Sequence, residues 1–373
     1  MQEYRVMLIE ASRIMMERLS SVVRGTRDFQ LVSRYKEPRE ALGQGGVFMP
    51  NLILLDIDVA ENMQFVHEFV RVFPQAGILC LSGQWDADIA SEVVKSGAKG
   101  YLIKPFTSEE LIAAMDTFGK SGMGTVSEVM TFFSPKGKSG KTTLIANLAL
   151  ALAKRTQQNV AVIDADLQFG DMAVFFNLNP QSTVVEAVRD IKFLSPITLN
   201  SYFMPIGEHV RVLCGTKRPE LAEGVDPQGL KALVNMARSL FRYILIDVPP
   251  AFNPISITAA EAADQVYLVA MMSGGFEIEH MRRALEIFKD WPDCAERVKT
   301  IFTRVEPCTQ ETEQRLEKEL GYPIYGAVPN EYLLVSAAAN NGRMAVDIKP
   351  DSPLARSVER LAIKICNNQH KVV

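Results

Sequence analysis

Cysteine is scarce in this sequence and follows no pattern. The chain has five cysteines in 373 residues, and they lie far apart, with no Cys-x-x-Cys pair. Structural zinc sites need closely spaced ligands, and disulfide frameworks occur in short chains that are rich in cysteine. The spacing therefore argues against both, and it predicts a protein of the reducing cytoplasm.

Long apolar runs are also lacking. No stretch approaches the roughly 18 consecutive apolar residues that suggest a membrane-spanning helix. The first nine residues carry Glu3 and Arg5 and contain no apolar export segment. We therefore expect a cytoplasmic protein without a transmembrane helix, in which any membrane contact is peripheral.

An excess of basic charge is missing as well. Lysine and arginine number 40 against 44 acidic residues, which gives a formal net charge of −4. Proteins that coat nucleic acids are usually basic, and this sequence shows neither a basic stripe nor a recognisable helix-turn-helix. The charge balance therefore argues against a nucleic-acid partner.

The length predicts more than one domain, because 373 residues exceed what a single hydrophobic core usually serves. Residues 118–127 contain three glycines and no apolar periodicity, which is typical of a flexible linker. We predict a first domain at residues 1–118, a linker at 119–127 and a second domain at 128–373. Both domains alternate apolar strands with helices, so the predicted fold class is α/β with two doubly wound parallel sheets.

In the first domain, the strands are predicted at residues 4–9, 52–55, 78–81 and 101–103, and helices at 12–23, 86–96 and 108–117. Functional groups in such sheets collect at the carboxyl ends of the strands. Four polar residues stand at those ends: Glu10, Asp56, Ser82 and Lys104.

These four residues, with the Gly-Ala-Lys-Gly-Tyr-Leu-Ile-Lys-Pro run at 97–105, resemble the receiver domain of bacterial response regulators, a flavodoxin-like fold. The resemblance implies that Asp56 accepts a phosphoryl group, which Ser82 and Lys104 contact. Ala11 stands beside Glu10 where receivers carry a second acidic residue, which weakens the implied magnesium site. The alternative is that Asp56 and Lys104 form a purely structural pair.

The second domain contains a candidate phosphate-binding loop. A strand at 129–133 leads into Ser-Pro-Lys-Gly-Lys-Ser-Gly-Lys-Thr-Thr at 134–143 and then an apolar helix at 144–152. Backbone N–H groups in such a loop, with the helix N-terminus, bind phosphates. Lys141 is positioned to reach the β- and γ-phosphates, and Thr142 to hold magnesium. The predicted phosphate-binding residues are Gly137, Lys138, Ser139, Gly140, Lys141, Thr142 and Thr143. The alternative is a basic surface turn.

This loop resembles the deviant phosphate-binding loop of the MinD/ParA ATPases, Lys-Gly-Gly-x-Gly-Lys-Thr. Pro135 stands where the ordinary pattern has glycine, and Lys136 matches the extra lysine of the deviant pattern. The resemblance implies ATP and Mg²⁺ as ligands and a homodimer in which Lys136 reaches the partner's nucleotide. Lys138 departs from the pattern, which has glycine there; a positive φ at this residue would cost about 1 kcal/mol.

Other site residues follow later strands of the second domain. The resemblance makes Asp164 the residue that positions the attacking water and Asp166 a nearby switch residue. Asp247 resembles the carboxylate that holds magnesium through water. Arg304 and the 327–331 run with Pro329 fall where relatives contact or flank adenine.

The order of the two domains resembles the TadZ/CpaE proteins of tight-adherence (Flp-type) pilus assembly over nearly the whole chain. The resemblance implies an ATP-dependent homodimer that hydrolyses ATP slowly, marks a cell pole and helps to place the pilus secretion machinery. Its partners would be pilus and secretion assembly proteins, with a polar or peripheral membrane location.

Two other functions stay open. The departures at Ala11, Lys138, Ala251 and Asn330 fall on site residues, which suits a scaffold that binds nucleotide without hydrolysing it, or that no longer binds it. A DNA-partitioning ATPase or a conventional two-component output protein is the third hypothesis, and the net charge disfavours it.

Apolar residues near the chain end recur at helical spacing, at Leu354, Val358, Leu361, Ala362 and Ile365. This pattern fits either a last helix packed on the sheet or a basic amphipathic helix that touches membranes. Glu359 and the polar residues 367–371 favour the packed helix.

Overall fold

The computed structural model describes residues 4–74, 76–84, 86–120, 127–194, 196–216, 218–238, 240–272, 275–291 and 293–368. Residues 121–126 of the predicted linker lie outside these ranges, as do residues 369–371 of the polar end. The described residues fall into two compact units. The first unit holds residues 4–120 with the described parts of 191–201 and 235–240, and the second holds the rest. The predicted domain boundaries stay predictions.

The first unit contains a five-stranded parallel sheet in the order β2-β1-β3-β4-β5. Its strands are β1 (Tyr4–Ile9), β2 (Phe29–Tyr35), β3 (Leu52–Asp56), β4 (Gly77–Ser82) and β5 (Gly100–Ile103). Its helices are α1 (Arg13–Gly25), α2 (Pro38–Gln44), α3 (Phe65–Val72), α4 (Ala87–Lys95) and α5 (Ser108–Lys120). Two apolar clusters cover the two faces of the sheet. This strand order is that of a flavodoxin-like fold, as the sequence predicted.

The second unit contains an eight-stranded sheet in the order β13-β12-β11-β6-β10-β7-β9-β8. Its strands are β6 (Glu128–Phe133), β7 (Val160–Asp164), β8 (Met204–Ile206), β9 (Val210–Leu213), β10 (Tyr243–Asp247), β11 (Gln265–Met271), β12 (Val298–Val305) and β13 (Ile324–Pro329). All neighbours pair in parallel except β8, which is antiparallel to β9. The predicted fold class is therefore confirmed for both units.

Helices connect these strands. After residue 127 they are α6 (Lys141–Thr156), α7 (Met172–Phe175), α8 (Val184–Asp190), α9 (Pro196–Asn200), α10 (Pro227–Ala237), α11 (Pro254–Ala262), α12 (Phe276–Phe288), α13 (Cys294–Arg297), α14 (Gln310–Leu320), α15 (Tyr332–Ala339), α16 (Ala345–Ile348) and α17 (Pro353–Asn368). Crossover helices of this kind bury a parallel sheet on both faces, which explains the nearly continuous apolar runs of β6, β7 and β10.

Strand register positions the candidate site. Asp247 at the end of β10 pairs with Asp164 at the end of β7 and with Phe132 near the end of β6. Because all three strands run in parallel, both carboxylates meet at the carboxyl edge of the sheet, beside the loop that leaves β6.

The last helix, α17, packs inside the second unit. Leu354, Val358, Leu361, Ala362 and Ile365 are all buried in one apolar cluster with residues of α6. The packed-helix interpretation is confirmed, and the membrane interpretation is wrong for this apolar face because the protein core covers it. Across the described ranges, no helix is long and apolar enough to cross a membrane.

Candidate functional site

The loop at 134–140 joins β6 to α6 in the manner of a phosphate-binding loop. Gly140 has a φ of 77° and forms the N-cap of α6, whose first residue is Lys141. The Thr303 hydroxyl donates a hydrogen bond to the Ser139 carbonyl, and the Ser134 hydroxyl donates to the Lys136 carbonyl. These bonds hold the loop in place before any phosphate arrives. Thr303 therefore stabilises the loop through its hydrogen bond to Ser139.

Lys138 lies in the left-handed region of backbone conformation, with a φ of 64°. Its side chain is exposed. The positive φ that would strain the backbone at this residue is therefore present, since any Cβ crowds the following carbonyl in this conformation.

Replacing Lys138 with glycine should raise the free energy of unfolding of the nucleotide-free protein by about 0.5–1 kcal/mol, because glycine adopts a positive φ without strain. The gain is limited by the greater freedom of glycine in the unfolded chain. Urea unfolding measures it. Lys138→Ala is the matched control because it removes the same ammonium and keeps the strain. Equal stabilities for the two variants would show that the backbone carries no strain here.

Lys141, Thr142 and Asp247 form one buried cluster beneath the loop. The Lys141 ammonium forms an ion pair with Asp247 Oδ1, and the Thr142 hydroxyl donates to Asp247 Oδ2 at 2.7 Å. Lys141 and Asp247 are 7% and 1% exposed. Burial lowers the pKa of Lys141 to about 8, and the nearby Asp166 and Asp164 oppose that shift. The three residues predicted to bind phosphate and magnesium thus meet at one point.

Asp164 orders the segment that follows β7. Its Oδ1 accepts a hydrogen bond from the Asp166 N–H at 3.2 Å, and its Oδ2 accepts one from the Met172 N–H at 3.1 Å. Burial raises the pKa of Asp164 to about 7. Asp166 is only half-buried, and its carboxylate accepts the Phe169 N–H at 3.2 Å.

Gly170 has no side chain, and this lets the Asp164 carboxylate lie close to the backbone of the segment after β7. A Cβ at this residue would lie 2.5 Å from both carboxylate oxygens of Asp164 and 2.6 Å from the Asp166 carbonyl. This glycine was not predicted as a site residue, because nothing in the neighbouring sequence marks it as close to the Asp164 carboxylate.

An open cleft lies beside the start of α6. The residues that line it include Gly140, Thr143, Arg304, Pro329 and Tyr332. The sequence analysis assigned Arg304 and Pro329 to the base of the nucleotide, and the structure brings both to this cleft next to the loop. Its mixed apolar and polar lining suits a flat aromatic ring.

Lys136 stands apart from the buried cluster. Its side chain is exposed and makes no ion pair with any residue in the described ranges. An unpaired ammonium at the rim of the loop can reach an anion that approaches from outside.

In the first unit, Lys104 forms ion pairs with Glu10 Oε2 at 2.7 Å, Asp56 Oδ1 at 2.6 Å and Asp58 Oδ2 at 3.2 Å. Burial raises the pKa of Glu10. Burial by itself would lower the pKa of Lys104, but the hydrogen bonds to Asp56 and Glu10 outweigh burial and raise that pKa. Three of the four predicted residues therefore meet, whereas the Ser82 hydroxyl donates to Asp58.

Asp58 was not predicted as a site residue. Its signal was available, because Asp56-Ile-Asp58 repeats the spacing of Asp164-Ala-Asp166 at the end of a buried strand. In both places the backbone N–H of the second aspartate donates to the carboxylate of the first, at 3.0 Å for Asp58 and 3.2 Å for Asp166.

Within the described residues, no group of three or more His, Cys, Asp or Glu side chains is arranged to hold a metal ion.

Two parts of the chain match known domain families. Residues 130–343 match the CobQ/CobB/MinD/ParA nucleotide binding domain, and residues 6–116 match the response regulator receiver domain. An uncharacterised ATP-binding protein of Methanocaldococcus jannaschii is 28% identical over 240 residues, which cover 64% of this chain and 87% of that protein.

Two solved structures share the fold of the second unit. A ParA family ATPase from Chlorobium tepidum has a TM-score of 0.59 at 20% identity, covering 64% of this chain and 98% of that chain. The septum site-determining protein MinD of Pyrococcus horikoshii, in complex with Mg-ADP, has a TM-score of 0.55 at 21% identity, covering 64% and 96%.

Proposed function

Since this chain belongs to the CobQ/CobB/MinD/ParA nucleotide-binding family and carries a receiver domain before it, we propose that it is an ATP-controlled dimer that localises a protein assembly. The observation that carries this proposal is the contact of Lys141, Thr142 and Asp247 beneath a preformed loop, beside a cleft that can take a base.

Nucleotide entry is proposed to rearrange that cluster. Lys141 exchanges Asp247 for the β- and γ-phosphate oxygens, while N–H groups of the loop and of the first turn of α6 bind the remaining phosphate oxygens. Thr142 and Asp247 offer a hydroxyl and a carboxylate, the hard oxygen donors that Mg²⁺ takes in phosphate sites, so the residues fit this ion. When bound, magnesium neutralises charge that develops on the phosphates.

The proposed dimer contact is the edge that carries the loop. Several large apolar side chains that follow the carboxyl ends of the parallel strands are exposed: Phe169, Val174, Phe252, Phe276, Tyr332 and Leu333. Exposed apolar side chains gathered on one edge are typical of an interaction surface. Lys136, at the same edge and without an ion pair among the described residues, is proposed to reach the partner's nucleotide.

For hydrolysis, the geometry favours Asp166 over Asp164 as the residue that holds the attacking water. Both oxygens of Asp164 already accept backbone N–H groups, so its proposed role is to order residues 166–172. Asp166 is less buried, and its Oδ1 accepts the Phe169 N–H while its Oδ2 points to no backbone donor among the described residues. The water oxygen would form a bond to the γ-phosphorus as the bond to the β-γ bridging oxygen breaks.

A non-hydrolysing scaffold is the second candidate. Ala251 is one of the departures on site residues, and its N–H donates to the Pro249 carbonyl at 2.8 Å, so it is not offered to a phosphate oxygen. Phosphate release from MgATP that disappears in Asp166→Ala would rule this candidate out.

Light scattering with and without MgATP tests the dimer. Wild type should dimerise only with MgATP, whereas Lys136→Ala should bind the nucleotide and remain monomeric, because it lacks the ammonium that reaches across. Lys138→Ala is the matched control, since it removes a neighbouring exposed lysine of the same loop. A Lys136→Ala protein that dimerises like wild type would contradict the role of Lys136, and a wild type indifferent to MgATP would contradict the proposal.

The domain order supports a finer proposal, a role in placing a tight-adherence pilus at a cell pole, as in the TadZ/CpaE proteins that it resembles. A fluorescent fusion should then form a polar focus that Lys141→Ala disperses. A diffuse wild-type fusion in piliated cells would argue against this role while leaving the ATP-controlled dimer intact.

A further inference from the structure

Asp58 in the first unit is bound by three converging donors. Its Oδ1 accepts the Ser82 hydroxyl at 2.5 Å, and both of its oxygens lie 3.0 Å from the Gly83 N–H. Its Oδ2 lies 3.2 Å from the Lys104 ammonium. A hydroxyl, a backbone N–H and an ammonium therefore surround one carboxylate.

The fold builds this arrangement from the ends of three adjacent strands. Asp58 comes after the end of β3 and Lys104 directly after β5. Ser82 is the last residue of β4, and Gly83 follows it. The Asp58 N–H donates to Asp56 Oδ1 at 3.0 Å, which fixes the turn. Gly83 leaves room, because a Cβ there would lie 3.3 Å from Asp58 Oδ2.

Asp58 is held as an anion. Its partial burial opposes ionisation, but hydrogen bonds from Ser82 and Gly83 and the charge of Lys104 lower its pKa. A hydroxyl, a backbone N–H and an ammonium are also the donors that bind the oxygens of phosphate and phosphoryl groups.

We propose that Lys104, Ser82 and the Gly83 N–H form an oxyanion cradle whose built-in occupant is Asp58, so that a phosphate-type anion enters only when Asp58 leaves. This inference concerns the first unit alone and does not depend on the proposed ATP-controlled dimer.

Charge makes the two occupants exclusive. Lys104 already pairs with two other carboxylates, Glu10 and Asp56, which are 1% and 2% exposed. A phosphate added while Asp58 remains would gather four anionic groups around one ammonium, and like charges at such distances repel strongly. Asp58 has a route out, because its side chain is 41% exposed.

Hydrogen–deuterium exchange of the full-length protein, titrated with inorganic phosphate, tests the cradle at the segment that contains Gly83. Wild type should exchange slowly there and show no phosphate response. In Asp58→Ala, exchange at the Gly83 amide should speed up by at least about tenfold, the scale of one lost charge-assisted hydrogen bond. Phosphate should then restore the slow exchange, because it refills the cradle.

Three controls make the result decisive. Exchange in the 134–143 segment is followed in parallel, so that any phosphate binding at the other loop is separated from binding at the cradle. Asp58→Ala/Ser82→Ala should lose the response to phosphate, and Glu61→Ala, which removes a nearby exposed carboxylate, should behave as wild type. Asp58→Ser, whose side chain is shorter and leaves the cradle open, gives the same comparison if Asp58→Ala does not fold. Equal phosphate protection in wild type and Asp58→Ala would overturn the proposal, as would a folded Asp58 variant that phosphate leaves unprotected.

Discussion

Lys141→Ala should lower the affinity for MgATP by at least about 100-fold, because the ammonium is proposed to make charge-assisted hydrogen bonds to two phosphate groups, each worth about 1.5–3 kcal/mol. Titration calorimetry at low protein concentration measures the loss. Lys138→Ala removes another lysine of the same loop and should change the affinity much less. An unchanged affinity in Lys141→Ala would contradict nucleotide binding at this loop, and with it the proposed function.

The same variant changes the nucleotide-free protein, which needs a separate control. Lys141 neutralises Asp247, and the buried carboxylate left behind costs about 3–5 kcal/mol of stability. Lys141→Ala/Asp247→Asn should regain much of that stability and still fail to bind MgATP. The double variant therefore separates a lost phosphate contact from partial unfolding.

Gly170→Ala should lower the rate of ATP hydrolysis by about 100-fold, since displacing a catalytic group by an ångström has effects of that order. The new Cβ would overlap both oxygens of Asp164 and the Asp166 carbonyl, so the segment after β7 must move. The crowding should also cost about 1–3 kcal/mol of stability. Phosphate release at saturating MgATP and urea unfolding measure the two effects.

Gly224→Ala is the matched control for this substitution. A Cβ at Gly224 would meet no atom within 4 Å, and the residue has no positive φ, so its activity and stability should stay close to those of wild type. A Gly170→Ala protein with wild-type turnover would mean that the position of the Asp164–Asp166 segment does not limit hydrolysis.

The buried strands at 4–9, 52–55, 78–81, 101–103 and 129–133 could be predicted from the sequence because a parallel sheet covered on both faces leaves continuous apolar runs. The buried strand β11 (Gln265–Met271) has such a run but was not predicted. The prediction missed β2 (Phe29–Tyr35), an edge strand in which only Tyr35 is buried. It also missed the antiparallel pair of β8 and β9, since β8 has three residues and none is fully buried. Such strands leave a weak apolar pattern because solvent covers part of them.

The candidate site was predicted where its chemistry is local in the sequence. The loop with Lys141 and Thr142 lies in one short segment, so its spacing alone indicates phosphate binding. The contacts that decide roles join residues far apart, such as Thr303 with the Ser139 carbonyl and Ser82 with Asp58. The spacing of residues along the chain does not reveal which of two carboxylates already accepts hydrogen bonds. The hydrogen bonds to Asp58 and to Asp164 are therefore seen only in the folded structure.

In the proposed nucleotide site, the pairing of Lys141 with Asp247 predicts an order of addition. In the resting protein, the carboxylate best suited to magnesium is engaged by a lysine and a threonine. Free magnesium gives up its water shell reluctantly, so it competes poorly for an oxygen held in this way. A nucleotide that draws Lys141 away releases the carboxylate at the same moment. The metal should therefore arrive already attached to its nucleotide, and preincubation with magnesium alone should leave the rate of nucleotide capture unchanged.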